Sequence, residues 1–482
     1  MEVNRKQGGS VIAMNAFLSR VRNGLYSRLE SDHFTAQSLI RMFWPLVLDQ
    51  LFIFVIGILS VAMVSSAGEE QIAAVTLVGV IGSLSYALFS AISMGGSIVI
   101  ARAKGSGDPE RVRRAIGQSA TSCLLCGVVI AAVMVVFGGS IIRFFYPDAD
   151  QTVIDAGISY MHYYAYSFIP YSFFCVVFQA FRSLGDARSS LILTIIINSV
   201  HLIASFIYIN LMHLGATGSA LSYLTARLIG FAFSLVWLMR PHSGVGMRFR
   251  YFFHFDKQIA RDISLLGIPF SIEQILFQGG MLLVQIYLSR LSTTALAAQG
   301  IATSIFNLYY AVAYAVTAIT GTVCGQCVGA KEIELARRYC LNFVYLGRYI
   351  LAAAVLILFP MTPLLLRLNS ASPDASRIVW MALAIGAFPM PFLWPDGYVI
   401  PTATRTAGDA RFTTVISIST MFIGRLALGY LFSIQLGFGI VGVWVGQLVE
   451  WLLRAVVMRM RIRTDKWILV DRQTNEAPRH IK

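Results

Sequence analysis

Charge is what this chain has least of. Only 13% of its 482 residues are Asp, Glu, Lys or Arg, while 57% are hydrophobic, and the mean hydropathy is +0.69. A soluble surface needs roughly a quarter of its residues charged, so lipid must solvate most of this one. Cysteine is also scarce. The six, at 123, 126, 175, 324, 327 and 340, fall in or beside apolar runs, with no spaced extracellular framework. Cys123-x-x-Cys126 and Cys324-x-x-Cys327 have metal or redox spacing but no neighbouring histidine, and read as small apolar packing residues. His162 and His201 stand singly in apolar runs and read as packing residues too. Neither a Gly-x-x-x-x-Gly-Lys-Ser/Thr loop nor a His-Glu-x-x-His helix occurs, so ATP-driven pumping by this chain and metalloprotease chemistry lack support. No compact catalytic cluster is evident, which disfavours a membrane-embedded enzyme, and no cofactor is implied. The opening MEVNRKQGGS lacks the apolar core and small-residue cleavage site of a signal peptide.

Long apolar runs are what the chain has in quantity. Crossing a bilayer takes roughly 20 apolar residues. Twelve runs qualify, at about 40–65, 72–101, 118–140, 155–180, 188–211, 216–239, 262–289, 295–325, 341–366, 377–402, 412–434 and 438–459. The fold class is therefore an all-α membrane protein with twelve transmembrane helices. Its net charge of +14 does not indicate nucleic acid, because the basic residues gather at every second gap. Examples are Arg102 to Arg114, Arg182 and Arg188, Arg240 to Arg261, Lys331 to Arg338, and Arg405 with Arg411. Positive loops stay inside, which predicts cytoplasmic termini in a plasma (cell inner) membrane protein. Residues 1–38 form a basic N-terminal segment. Val11, Ile12, Met14, Phe17, Leu18, Val21 and Leu25 recur there at helical spacing, so an amphipathic surface helix and a partly disordered tail both remain open.

The chain is duplicated. Arg182 to Arg188 read Arg-Ser-Leu-Gly-Asp-Ala-Arg, and 223 positions later Arg405 to Arg411 read Arg-Thr-Ala-Gly-Asp-Ala-Arg. Pro45 and Pro269, Asp49-Gln50 and Glu273-Gln274, Gly105 and Gly329, and Arg113-Arg114 and Arg337-Arg338 all match at an offset of 224. The predicted divisions are a lobe at 39–240, an interlobe linker at 241–261, a second lobe at 262–462 and a tail at 463–482. Six helices per lobe make the repeats parallel about an axis along the membrane normal, which leaves a cleft between two bundles able to rock. Phe252, Phe253 and Phe255 in the linker suggest an interfacial helix, and Gly321, Gly325 and Gly329 a close helix contact. Prolines 170, 389, 391 and 395 predict bends in the fourth and tenth helices.

A carboxylate in a membrane helix costs roughly 2.5–3.5 kcal/mol at its centre, so each needs a reason. Asp49, Glu273, Asp396 and Glu450 are such residues and are candidate cation-coupling groups, with H+ or Na+ as the ion. For Asp49 and Glu273, four residues after matched prolines, a structural capping role is the competing reading. Arg425, midway along the eleventh run, is the charge partner expected for Glu450 or Asp396. Among the polar and aromatic residues suited to a ligand cleft, Tyr166, Gln278, Asn307, Tyr310, Tyr314 and Trp394 are the candidate substrate contacts. In the Gly-Asp-Ala-Arg loops, glycine allows a turn, aspartate caps the next helix and the arginines hold the basic face.

The twin Arg-x-x-Gly-Asp-Ala-Arg loops, Pro45-Leu-Val-Leu-Asp-Gln, Gly105-Ser-Gly-Asp-Pro-Glu-Arg and Gly442-Val-Trp resemble the multidrug and toxic compound extrusion family. The likeness runs over about residues 38–465. It implies an antiporter expelling cationic or amphipathic drugs and metabolites, with no nucleic-acid or obligate protein partner, in exchange for protons or sodium. Two positions depart from the family pattern. Ser60 stands where many relatives carry a helix-one Asp, and Asp396 is out of register with a family carboxylate that falls close to Trp394. A coupling site would then lie in the second lobe, around Glu273 and Asp396. The competing readings are a lipid-linked precursor flippase, which tends to have fourteen helices and a more cationic cleft, and a non-transporting enzyme or scaffold.

Overall fold

The computed structural model describes residues 30, 31, 33–65, 69–145, 150–240, 244–289, 291–369 and 371–469. The N-terminal helical pattern from Val11 to Leu25 and the tail from residue 470 lie outside them. Among the described residues the fold is wholly helical. The first lobe comprises α1 (Ala36–Ser65), α2 (Glu69–Gly105), α3 (Pro109–Phe145), α4 (Gln151–Ser183), α5 (Ala187–Ser205) and α6 (Gly215–Met239). The second comprises α7 (Lys257–Ser289), α8 (Thr293–Gly329), α9 (Ile333–Leu358), a broken α10 (Pro373–Ala387 and Met390–Thr406), α11 (Ala410–Thr420) and α12 (Ile440–Ile462). Among the described residues eleven helices are long and apolar enough to cross a membrane, and the α10 pair, taken as one bent span, makes the twelfth.

Proline explains where the helices depart from the apolar runs. The two pieces of α10 meet at 61°, with Pro389 and Pro391 at the junction, where each removes an amide donor. α4 instead continues through Pro170 as one helix. The run expected at 341–366 is cut at Pro360, with α9 before it and a short helix, Thr362–Leu368, after it. α7 takes in the last five residues of the expected linker, because Asp256 accepts from the amides of Gln258 (2.9 Å) and Ile259 (3.2 Å) and caps its first turn. The described residues of the linker include a 3-10 turn, Phe249–Phe252, with Phe253 85% exposed, which suits a segment lying at the lipid boundary.

The duplication reaches into local geometry. α5 ends in a π-helical stretch, Phe206–Leu211, and α11 in two, Met421–Leu428 and Leu431–Gln435. Gly215 and Gly439, 224 positions apart, open α6 and α12 with φ of 54° and 57°. Such insertions recur at functional sites because they redirect side chains along a helix.

The lobes meet through a repeated pair of contacts, α2 on α7 and α1 on α8, and α2 also crosses α8. Glycine permits the last approach: a Cβ on Gly105 would collide with the Gln326 carbonyl, and one on Gly329 with that of Arg102. Gly325 faces Ala101, so two glycines of the α8 stripe lie at this seam, while Gly321 faces Thr402 of its own lobe. The seam is latched twice. Arg102 Nε donates to the Thr406 carbonyl at 2.6 Å, and Gln326 Nε2 to the Ser183 carbonyl at 2.8 Å. Arg102 and Gln326 are repeat equivalents, as are Thr406 and Ser183, which follow the first arginine of each Gly-Asp-Ala-Arg loop. Valine at Gly329 should therefore part the lobes on this face. Spin labels on Lys104→Cys and Lys331→Cys are expected to move apart in Gly329→Val relative to the unsubstituted protein, and an unchanged distance would count against the latch.

Candidate functional site

The intramembrane carboxylates do not stand alone. Asp49 on α1 takes a short ion pair from Arg182 at the end of α4, and Glu273 on α7 takes one from Arg405 at the end of α10. The two pairs are repeat equivalents, so the loop arginines face their own lobe's carboxylate and do more than hold the basic face. Gln50 Nε2 adds a 3.1 Å bond to Asp49, and Thr414 Oγ1 one of the same length to Glu273. Glycine sets up each turn, with Gly185 at φ 86° and Gly408 at φ 103°. Asp186 caps α5 by accepting from the Ser189 amide at 3.1 Å. Asp409 makes no such cap; Arg461 claims both of its oxygens, at 2.8 and 3.1 Å. Burial pushes the Asp409 carboxyl up, and Arg461 opposes the shift.

Two cavities flank the seam. One of about 390 Å³ in the second lobe is lined by Glu273, Asn307, Tyr310, Tyr314 and Trp394 among others. The rings of Tyr310, Trp394 and Tyr398 form a continuous stack, with centroids 5.9 and 4.6 Å apart. The other, of about 590 Å³ in the first lobe, is lined by Tyr86, Tyr171, Asn198, His201, Tyr223 and Arg227, with Gln50 and Gln274 on its wall. Met94 and Gln274's neighbour Phe270 line both, so the cavities adjoin.

The remaining candidates separate. Asp396 lies outside both linings, and Arg348 (2.6 Å) and Arg459 (2.8 Å) hold it between α9, α10 and α12. Glu450 is fully buried behind the second-lobe cavity, gripped by Arg425 at 2.6 Å and Arg454 at 2.9 Å. Gln278 and Tyr166 are exposed and line neither cavity. Ser60 on α1 is likewise absent from both linings.

Reading the sequence for carboxylates missed the arginines. Glu273 is the one carboxylate lining these cavities among the described residues, against Arg182, Arg227, Arg405, Arg425 and Arg454. The sequence singles out four intramembrane carboxylates and one arginine, Arg425, but at the cleft the balance is reversed. The insertion-cost argument, applied to a lone arginine in the 216–239 run, would have found Arg227.

Similarity to known proteins settles the family. The MatE family model matches residues 45–207 and 269–431, one copy per lobe and well over half of the chain. The chain belongs to the MatE family. MatE members are transporters, so this is a multi-pass membrane transporter and not an enzyme. It is 24% identical to the "Uncharacterized transporter YisQ" of Bacillus subtilis, over 89% of this chain and 95% of that protein. It is 26% identical to the "Probable multidrug resistance protein NorM" of Rhizobium meliloti, over 86% and 91%. A solved structure described as the outward-facing conformation of a multidrug resistance MATE family transporter superposes with a TM-score of 0.83, at 21% identity over 91% of this chain and 98% of that one. At that identity the superposition speaks for the MatE fold.

Proposed function

We propose that this MatE transporter is a secondary active efflux antiporter that expels amphipathic organic compounds, drugs or metabolites, in exchange for protons or sodium by rocker-switch alternating access. The observation that carries the reading is the placement of Glu273. It faces the cleft, and its partner Arg405 directly precedes Thr406, whose carbonyl takes the latch from Arg102 of the other lobe. A proton or sodium ion at Glu273 competes with Arg405 for the carboxylate. Release of Arg405 then disturbs the loop that carries the latch, which links ion entry to lobe movement. Asp49, Arg182 and Ser183 repeat the arrangement in the first lobe. With the basic loops cytoplasmic, in the cell inner membrane, the latched seam closes the cytoplasmic side and the cleft faces outward. Organic cations would meet Glu273 and the Tyr310–Trp394–Tyr398 stack.

The test uses proteoliposomes loaded with a fluorescent organic cation and an imposed proton or sodium gradient. One gradient should drive efflux, and Glu273→Gln should abolish that drive while the protein remains folded. Failure of both gradients across a panel of amphipathic compounds would remove the antiporter reading. A lipid-linked precursor flippase is the second reading, favoured by the arginine-rich lining and disfavoured by twelve helices.

A further inference from the structure

The first-lobe cavity contains a charge that nothing in it answers. Arg227 on α6 is only 7% exposed and lines the cavity. The other arginines at the cleft each have a carboxylate: Asp49 for Arg182, Glu273 for Arg405, Glu450 for Arg425 and Arg454. Arg227 has none among the described residues, and no Asp or Glu lines its cavity. Its guanidinium is held in an aromatic cage, 4.2 Å from the Tyr171 ring centroid, 5.0 Å from Tyr164 and 5.1 Å from Tyr223. One hydrogen bond, Nη1 to Ser167 Oγ at 2.6 Å, fixes its orientation.

A desolvated arginine is expensive in a membrane interior unless an anion accompanies it. Aromatic faces offset part of that cost but leave the charge unneutralised and the guanidinium donors only partly used. The cavity beside it is large, and its other polar groups, Asn198, Gln50, Gln179 and Gln274, are uncharged amides. Tyr86, Tyr171 and Phe174 supply apolar walls. A charged fork at one end of an aromatic-walled, carboxylate-free chamber suits an anionic head on an apolar body.

We propose that this cavity binds the carboxylate, sulfonate or phosphate of an amphipathic molecule, with Arg227 as its counter-ion. As a route for cargo the site deepens the transport reading and rests on it; binding itself needs no gradient, so its failure is separable from failure of ion coupling.

The probes are three naphthalenes that differ only in their head group: 2-naphthoate, 2-naphthalenemethanol and 2-naphthylmethylammonium. Equilibrium dialysis is run on the full chain in phosphatidylcholine nanodiscs. Naphthoate should bind about tenfold or more tighter than the alcohol, the factor that one ion pair of about 1.4 kcal/mol supplies, and the ammonium, which has Glu273 in the second-lobe cavity to meet, should not be weakened by loss of Arg227. Arg227→Gln should erase the preference, and Arg227→Lys should retain part of it. Equal binding of naphthoate and the alcohol, or an unchanged preference in Arg227→Gln, would overturn the proposal. If Arg227→Gln does not fold, the wild-type ranking and the Arg227→Lys variant decide it. Discs containing phosphatidylglycerol identify the source of the anion. Weakened naphthoate binding in the wild type, absent in the Arg227 variants, marks a lipid head group as occupant, and unchanged binding marks a free solute.

Discussion

Glu450→Gln is expected to destabilise the protein by about 3–5 kcal/mol, the usual penalty for breaking a buried ion pair from one side. The glutamine fills the same volume but carries no charge, and Arg425 and Arg454, 7% and 3% exposed, would then face each other across it. The cavity that both arginines border relieves only part of that repulsion. Arg454 already spends donors on the Ser417 carbonyl at 2.9 Å, and Gly424 packs directly on Glu450, so the triad sits where α11 and α12 are in closest contact. Removing one cation together with the anion should recover much of the loss, so Arg425→Met with Glu450→Gln should unfold at a higher temperature than Glu450→Gln alone. Thermal unfolding in detergent micelles reads both. A Glu450→Gln midpoint equal to wild type, or a double variant less stable than the single, would show that the triad does not hold α11 to α12.

The second large effect separates two carboxylates that look equivalent in the sequence. Asp396→Asn should cost stability and spare transport, whereas Glu273→Gln should spare stability and abolish gradient-driven flux. Asp396 is 4% exposed, and its partners Arg348 and Arg459 are 29% and 24% exposed, so water screens part of the pair. The expected cost is accordingly smaller than at Glu450, about 1–3 kcal/mol. Glu273 borders a cavity, and its loss leaves Arg405 with Thr413 Oγ1 at 3.1 Å and open space for water. Flux under an imposed gradient and unfolding temperature, measured on the same preparations, give the contrast. Stable Asp396→Asn protein that has lost its gradient drive would instead place coupling between α9, α10 and α12.

Much of the architecture was legible because its causes are local or periodic. Lipid demands long apolar runs, basic loops bias orientation, and a duplicated gene leaves an offset; these fix twelve helices and two lobes before any contact is known. The offset even predicts that Asp49 and Glu273 occupy matching places. Their partners were hidden by distance, since Arg182 and Arg405 lie more than 130 positions away in the chain. They read as loop residues because Gly-Asp-Ala-Arg follows so closely, yet both sit in the last turn of a helix, α4 or α10, from which a long side chain reaches the carboxylate.

Charge balance in the cleft was decided by tertiary structure alone. Sequence lists which ionisable residues lie in spans, but a helix has a full circle of faces, and only packing chooses which one meets the cavity. That choice moved Asp396 out of the linings, set Glu450 behind the second-lobe cavity, and brought Arg227 to the edge of an aromatic chamber with no counter-charge. The sequence by itself determined the solvent, the helix count and the duplication, because burial in lipid constrains every residue of a span. The pairing of charges depended on which helices pack together within each lobe, and the approach of the lobes on glycines 105, 325 and 329, whose missing side chains let α2 and α8 touch.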